Sequence, residues 1–143
     1  MELISWIIFL VLGLIALVHF GWAFGMAWPA KQRELLVETV VGLPRGAPMP
    51  SAALTVIVAI AIMVLGVIAL WGAGVISVPV NTNGKSWVLL GAAAIFGLRG
   101  TASYLPFGPL QASVDPFRTL DLRYFAPLCL LLASGYIAIF LSL

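Results

Sequence analysis

Four long apolar runs divide this chain, and their length limits what it can fold into. They cover about residues 3–26, 52–76, 87–105 and 126–143 of the 143-residue sequence. Because a helix rises about 1.5 Å per residue and the hydrocarbon core of a bilayer is about 30 Å thick, about twenty apolar residues cross it. We therefore predict an all-α fold, an integral membrane four-helix bundle with one transmembrane domain over residues 1–143.

The composition supports a membrane protein and argues against several other classes. Hydrophobic residues make up 63% of the chain and charged residues 8%, whereas about a quarter of the residues of a soluble domain are charged. One cysteine, Cys129, and one histidine, His19, form neither an intrachain disulfide nor a structural zinc set. We predict no metal site, no cofactor and no nucleic-acid partner.

The positive charges predict an orientation in the membrane. The loop between the first and second runs contains Lys31, Arg33 and Arg45. Three further positive residues lie near or in the third loop, Arg99, Arg118 and Arg123. On the opposite side of the membrane, the second loop and its surroundings contain one positive residue, Lys85. Since positive residues favour the cytoplasmic side, we predict a multi-pass protein of the bacterial inner (cytoplasmic) membrane, with loops one and three inside and both termini outside. The start Met1-Glu2 lacks the positive region of a signal peptide, which favours an uncleaved first span.

Loop one carries a signal for a short interfacial helix. Its apolar residues at helical spacing are Leu36, Val37, Val40 and Val41, and Gly42 suits a C-terminal cap. The alternative is an irregular loop.

Loop three carries a second helix signal. Asp115 is a good N-cap and Pro116 fits the first helical position. Pro127 should kink the backbone or restart it as the fourth span. The charged residues that follow Asp115 would then lie at the membrane surface.

Polar side chains from three separate segments are predicted to converge on the cytoplasmic side. The first and third runs point the same way and the fourth starts where they end. The candidate cluster, either a binding site or a set of structural contacts, comprises His19, Trp22, Arg99, Arg118, Asp121, Arg123 and Tyr124. Arg99 is interpreted as the partner of Asp121 or Asp115, or as a ligand-binding residue. His19 is interpreted as a core histidine bonded to a backbone carbonyl or hydroxyl, or as a residue that handles a proton or a head group.

Two patterns of small residues predict close helix packing. Gly21 and Gly25 form a G-x-x-x-G pattern in the first run, and Ala93 and Gly97 repeat this spacing in the third. Small residues at this spacing let helix backbones approach closely.

Several of these segments resemble a bacterial membrane family known as domain of unknown function 3995. They are His19-x-x-Trp22-Ala23-x-Gly25, Thr39-Val40-Val41-Gly42 with Met49-Pro50, Phe96-Gly97-Leu98-Arg99-Gly100, and Pro116-Phe117-x-x-Leu120-Asp121-x-Arg123-Tyr124-x-x-Pro127-Leu128-Cys129-Leu130. The resemblance implies a small four-span protein. It implies no activity.

Three functions are compatible with the sequence. The first is binding of a lipid or small amphiphile at the polar pocket on the cytoplasmic side. The second is a structural or assembly subunit of a membrane complex, and the third is a small membrane enzyme with His19 as acid/base and Asp121 as its orienting partner. Catalysis is not favoured, because the chain shows no nucleophile motif, metal set or redox pair. The predicted partners are membrane lipids and, in addition, other membrane subunits or further copies of the chain.

Overall fold

The computed structural model describes residues 1–79 and 81–143, without the side chains of Thr82 and Pro109. The long helices are α1 (Glu2–Ala23), α2 (Ala52–Gly72), α3 (Thr82–Ala102) and α4 (Phe117–Phe140). No strand occurs in these two ranges. The prediction of an all-α fold is confirmed.

Three of these helices, α1, α2 and α4, are long and apolar enough to cross a membrane. Helix α3 has the same length as α2, 21 residues, but is not one of the three. It includes Lys85 and Arg99, whose charges make the helix less apolar. The prediction that the third apolar run, residues 87–105, also crosses the membrane therefore stays a prediction.

Local backbone chemistry moves several helix ends away from the predicted positions. Helix α1 ends at Ala23, before the predicted residue 26, and Gly25 follows with a φ of +101° that no α-helix contains. Helix α2 ends at Gly72 rather than at residue 76, with Gly74 at a φ of +80° beyond it. Helix α3 begins at Thr82 rather than at residue 87, because Asn81 Oδ1 accepts a 2.7 Å hydrogen bond from the Gly84 N–H.

Helix α4 joins the helix predicted in loop three to the predicted fourth span. Between its α-helical ends lies a π-helical segment, Asp121–Phe125. The prediction that the helix restarts at Pro127 is confirmed: regular α-helix resumes at Ala126 after the π-helical segment, with Pro127 in its first turn, where the missing N–H of proline is tolerated. Pro127 has no N–H to donate to the Leu122 carbonyl, its i−5 acceptor in a π-helical turn. This carbonyl accepts a 3.0 Å hydrogen bond from the Tyr104 hydroxyl instead.

The predicted N-cap of this helix lies one residue too early. Helix α4 is capped at Pro116, the residue that we placed inside the helix. Asp115 still stabilises the first turn, because its Oδ1 accepts hydrogen bonds from the Thr119 N–H at 3.2 Å and from the Thr119 hydroxyl at 2.7 Å.

Loop one contains the predicted short helix in two pieces. A 3-10 turn, Arg33–Leu35, precedes a π-helical turn, Val37–Val41, which ends at Gly42 with a φ of +82°. Leu36 and Val37 are buried. The segment therefore packs inward with its apolar face and does not lie flat on the outside of the bundle.

An ion pair joins two residues near the end of loop one. Arg45 Nη2 donates a 3.0 Å hydrogen bond to Glu38 Oε1, and this contact raises the pKa of the Arg45 guanidinium above its usual value. Both groups lie near the surface, so the pair contributes little to stability.

The long helices form two antiparallel pairs, α1 with α2 and α3 with α4. Their shared core lies at the end of the molecule where α1 begins and α4 ends. Its largest buried members are Ile8, Leu12, Leu89, Phe96, Leu132, Tyr136 and Ile139. The opposite end, where α1 and α3 finish and α4 starts, is packed less completely and holds the polar residues.

The two small-residue patterns have different outcomes. Gly25 lies beyond the end of α1, so the predicted G-x-x-x-G helix face is wrong. Gly97 lies against α4, where an added Cβ would be 3.8 Å from the Ala133 Cβ. Close packing in the second pattern thus joins α3 to α4.

Candidate functional site

The ends of three helices bring His19, Arg99 and Asp121 to the same end of the molecule. His19 lies near the end of α1, Arg99 lies near the end of α3, and Asp121 follows the first turn of α4. His19 and Arg99 line the same cavities, and Arg99 contacts Asp121 directly.

The Arg99 guanidinium is held by two side chains. Its Nη2 donates to Asp121 Oδ1 at 2.6 Å, and its Nη1 donates to Ser103 Oγ at 2.8 Å. Asp121 is fully buried, whereas 35% of the Arg99 side chain is exposed. A buried carboxylate is tolerated when a cation pairs with it and donates a hydrogen bond. Of the two partners considered for Arg99, the structure has Asp121.

One oxygen of this buried carboxylate is left over. Asp121 Oδ2 has no hydrogen-bond partner within the described part of the chain. The pair is thus incompletely satisfied on the carboxylate side, while the guanidinium retains unused N–H donors.

His19 is bonded to its own helix and faces a cavity. Its Nδ1 lies 2.8 Å from the Ile15 carbonyl oxygen, one of the two arrangements expected for a lone histidine. The ring lies 4.7 Å from the Trp22 ring, and Trp22 Nε1 donates to the Trp28 carbonyl at 2.6 Å. Asp121 contacts Arg99 rather than His19, so the enzyme hypothesis lacks its orienting carboxylate.

Two cavities, an outer lobe and an inner lobe, meet at a wall that contains His19 and Arg99, which we call the polar wall. They share the lining residues His19, Trp22, Val40, Arg99 and Phe117. The outer lobe, about 360 Å³, lies between loop one and the start of α2 and is also lined by Met49, Leu54 and Thr55. The inner lobe, about 480 Å³, runs from the shared wall toward the core and is also lined by Leu12, Ile62, Phe96 and Leu132.

The inner lobe opens to the side of the helix bundle. Leu14 and Trp28 line it, and they are 65% and 62% exposed. These two exposed lining residues place one side of the lobe at the surface of the molecule. The rest of the lining is largely apolar, with His19, Arg99 and the Cys129 thiol as its polar groups.

The other residues of the predicted cluster lie away from the two lobes. Arg118, Arg123 and Tyr124 line neither lobe. The Arg123 guanidinium lies 5.5 Å from the Tyr124 ring centroid, and Tyr124 is exposed. Arg118 Nη1 is buried without a hydrogen-bond partner among the described residues.

Two of the lining residues that both lobes share were not singled out as candidates from the sequence. Phe117 is buried and Val40 half-buried, and each lines both lobes. The apolar face of loop one was the available signal for Val40. Phe117 had no comparable signal, because an aromatic residue next to Pro116 is compatible with many positions at an interface.

These features define a helical protein in which a mainly apolar cavity, with a histidine and a paired arginine on its wall, lies between two helix pairs. Among the residues described, no group of three metal-binding side chains occurs. The chain belongs to the family described as protein of unknown function (DUF3995), which matches residues 12–136. No curated protein and no solved structure matches the chain.

Proposed function

We propose that this protein is a four-span protein of the cytoplasmic membrane that binds a lipid or another small amphiphile in the inner and outer lobes. The observation that carries this proposal is the inner lobe, an apolar cavity that opens sideways and has His19 and Arg99 on its wall. Ligand cavities in proteins combine apolar linings with a few polar groups in this way.

The position of the opening favours a ligand that dissolves in the membrane. Leu14 lies on the outward face of α1 with Leu10 and Leu17, all of them exposed. In a bilayer this face contacts lipid tails. A molecule that passes Leu14 thus comes from the membrane phase, which supports an amphiphile over a water-soluble metabolite.

The ion pair favours α3 as a membrane span in addition to α1, α2 and α4. An unpaired arginine inside a bilayer is costly, and Asp121 balances the charge of Arg99. Lys85 lies in the first turns of α3, where a long side chain reaches the head groups. With four spans, the polar wall and loop one lie on the cytoplasmic side, according to the charges of Lys31, Arg33 and Arg45.

A structural role is the second candidate, and one observation favours it. Arg99 already has Asp121 and Ser103 as partners, so its charge is balanced without a ligand. In that case the protein serves as a subunit of a larger membrane assembly, and the lobes hold bilayer lipid without selectivity.

A blocking variant tests the binding proposal. Val18 is half-buried and lines the inner lobe, whereas the adjacent Leu17 is exposed on the outside of α1. We expect wild-type protein and the L17W variant, analysed by native mass spectrometry from their own membrane, to carry the same amphiphile. We expect V18W to lose it with an unchanged helical circular dichroism spectrum. Equal retention by V18W contradicts binding in the inner lobe, and a wild-type protein without a selected amphiphile favours the structural role.

A further inference from the structure

We infer that the head group held between His19 and Arg99 is uncharged and carries a hydroxyl group. The ligand would then be a long-chain alcohol, a monoacylglycerol or a similar hydroxylated amphiphile. This inference rests on the proposed function and specifies the ligand of the same site.

His19 requires a hydrogen-bond donor from the ligand. A carbonyl oxygen is solely an acceptor, so Nδ1 carries the hydrogen in its 2.8 Å contact with the Ile15 oxygen. In the neutral imidazole the other nitrogen, Nε2, is then an acceptor. No group within the described ranges donates to Nε2, although the ring lines both lobes.

Arg99 requires an acceptor from the ligand. A guanidinium has five N–H donors and no acceptor. Ser103 and Asp121 each accept one hydrogen bond from it, and the side chain is partly exposed to both lobes. An oxygen atom at the shared wall would satisfy a donor that is otherwise unused.

The charge balance at the wall disfavours an ionic head group. Arg99 and Asp121 form a pair with no net charge, and the carboxylate is fully buried. An anion at Arg99 competes with Asp121 and is repelled by it, while a cation is repelled by Arg99. Both effects are strong where the dielectric constant is low. Arg118, the next cation along α4, lines neither lobe.

One hydroxyl group meets both requirements. Its O–H donates to His19 Nε2 and its lone pairs accept from an Arg99 N–H. The hydrocarbon part occupies the inner lobe, which descends along α1 from His19 to Leu12. These residues are roughly 10 Å apart along the helix axis at 1.5 Å per residue.

Cys129 supplies a reporter that is already in place. It is the one cysteine of the chain and lines the inner lobe. An amphiphile in this lobe covers the thiol and slows its alkylation. Wild-type protein in phospholipid nanodiscs therefore reports occupancy through the rate at which N-ethylmaleimide adds to it.

Four probes with the same tail test the head group. They are dodecanol, dodecyl methyl ether, dodecyl phosphate and dodecyltrimethylammonium, compared at equal mole fractions in the nanodisc. The ether keeps the acceptor oxygen of the alcohol and lacks its O–H. We expect dodecanol to protect Cys129 at mole fractions about threefold to tenfold lower than the ether requires, the effect of one net hydrogen bond. We expect the two ionic probes to protect less than dodecanol.

Variants of His19 test the assigned contact. His19→Phe removes the acceptor and should abolish the difference between dodecanol and the ether, whereas His19→Gln supplies an acceptor and should retain part of it. Where H19F does not fold, the comparison of probes on wild-type protein decides. Where Cys129 resists alkylation in empty nanodiscs, native mass spectrometry of bound probe replaces the rate measurement.

The outcomes separate this inference from the proposed function. Equal protection by the ether, or stronger protection by dodecyl phosphate or the ammonium probe, overturns the hydroxyl assignment while binding of an amphiphile stands. Failure of all four probes to occupy the inner lobe overturns both.

Discussion

The Tyr136 hydroxyl donates a 2.6 Å hydrogen bond to the Leu65 carbonyl oxygen, and this contact joins α4 to α2 across the boundary between the helix pairs. Tyr136 is fully buried, and its ring stacks on Phe96 with centroids 5.9 Å apart. Since Phe96 lines the inner lobe, the stacking of Tyr136 on Phe96 positions one residue of the cavity lining.

Removal of the Tyr136 hydroxyl should loosen the two helix pairs. We expect Tyr136→Phe to lower the free energy of unfolding by about 1 kcal/mol, the net value of a typical hydrogen bond. Thermal unfolding in detergent should then shift down by about 2–6 °C. Tyr124→Phe is the matched control, because Tyr124 is exposed. An unchanged midpoint for Y136F would show that the contact with Leu65 does not link the pairs.

The Arg99–Asp121 pair should show energetic coupling. Arg99→Gln leaves a buried carboxylate unpaired and Asp121→Asn leaves a guanidinium unpaired, so each single change destabilises. The double variant leaves neither charge, so we expect it to cost less than the sum of the single changes, by about 1–3 kcal/mol. Urea or thermal unfolding of the four proteins measures this. Additive effects would contradict an ion pair that matters for stability.

Much of this arrangement was predictable from the chain alone. Long apolar runs have few stable states other than buried or membrane-embedded helices, so α1, α2 and α4 followed from composition. A carboxylate partner for Arg99, either Asp121 or Asp115, followed from opposite charges at the same depth, and the structure has Asp121. The cap at Gly42 followed from the low cost of a positive φ at glycine.

Other features depend on contacts that leave little trace in the sequence. The acceptor for Tyr136 is a backbone carbonyl, which any residue supplies. The π-helical segment at Asp121 depends on tertiary contacts such as that between Tyr104 and Leu122. Closeness in sequence was a poor guide for Arg123 and Tyr124, because successive residues of a helix point in different directions.

Two glycines in α3 should respond oppositely to replacement by alanine. A Cβ on Gly100 would lie 2.8 Å from the Leu130 side chain and 3.0 Å from the Ala126 carbonyl oxygen. We expect Gly100→Ala to destabilise the protein by about 1–3 kcal/mol through overpacking. A Cβ on Gly91 has nothing within 4 Å, so Gly91→Ala should stabilise by about 0.5–1 kcal/mol through helix propensity. Thermal unfolding checks both, and the same sign for the two variants would contradict the packing of α3 on α4.

Gly42 at the end of loop one packs against Phe117, which lines the cavity, so its replacement should disturb both the loop and the cavity. Its φ is +82°, and an added Cβ would lie 2.5 Å from Phe117 Cδ1 and 3.0 Å from the Ser113 side chain. Gly46 in the same loop has a φ of +89° and nothing within 4 Å of an added Cβ. Both substitutions by alanine impose the left-handed backbone cost of about 1–2 kcal/mol. Gly42→Ala adds the displacement of Phe117, which overpacking places at about 1–3 kcal/mol.

The two alanine variants therefore differ in a way that backbone strain cannot produce. Phe117 lines both lobes, so its displacement in G42A should alter the rate of Cys129 alkylation in nanodiscs, while G46A should leave that rate at the wild-type value. Thermal unfolding should rank wild type, G46A and G42A in order of falling stability. Equal stability of the two variants, together with an unchanged alkylation rate in G42A, would mean that loop one does not support the wall of the cavity.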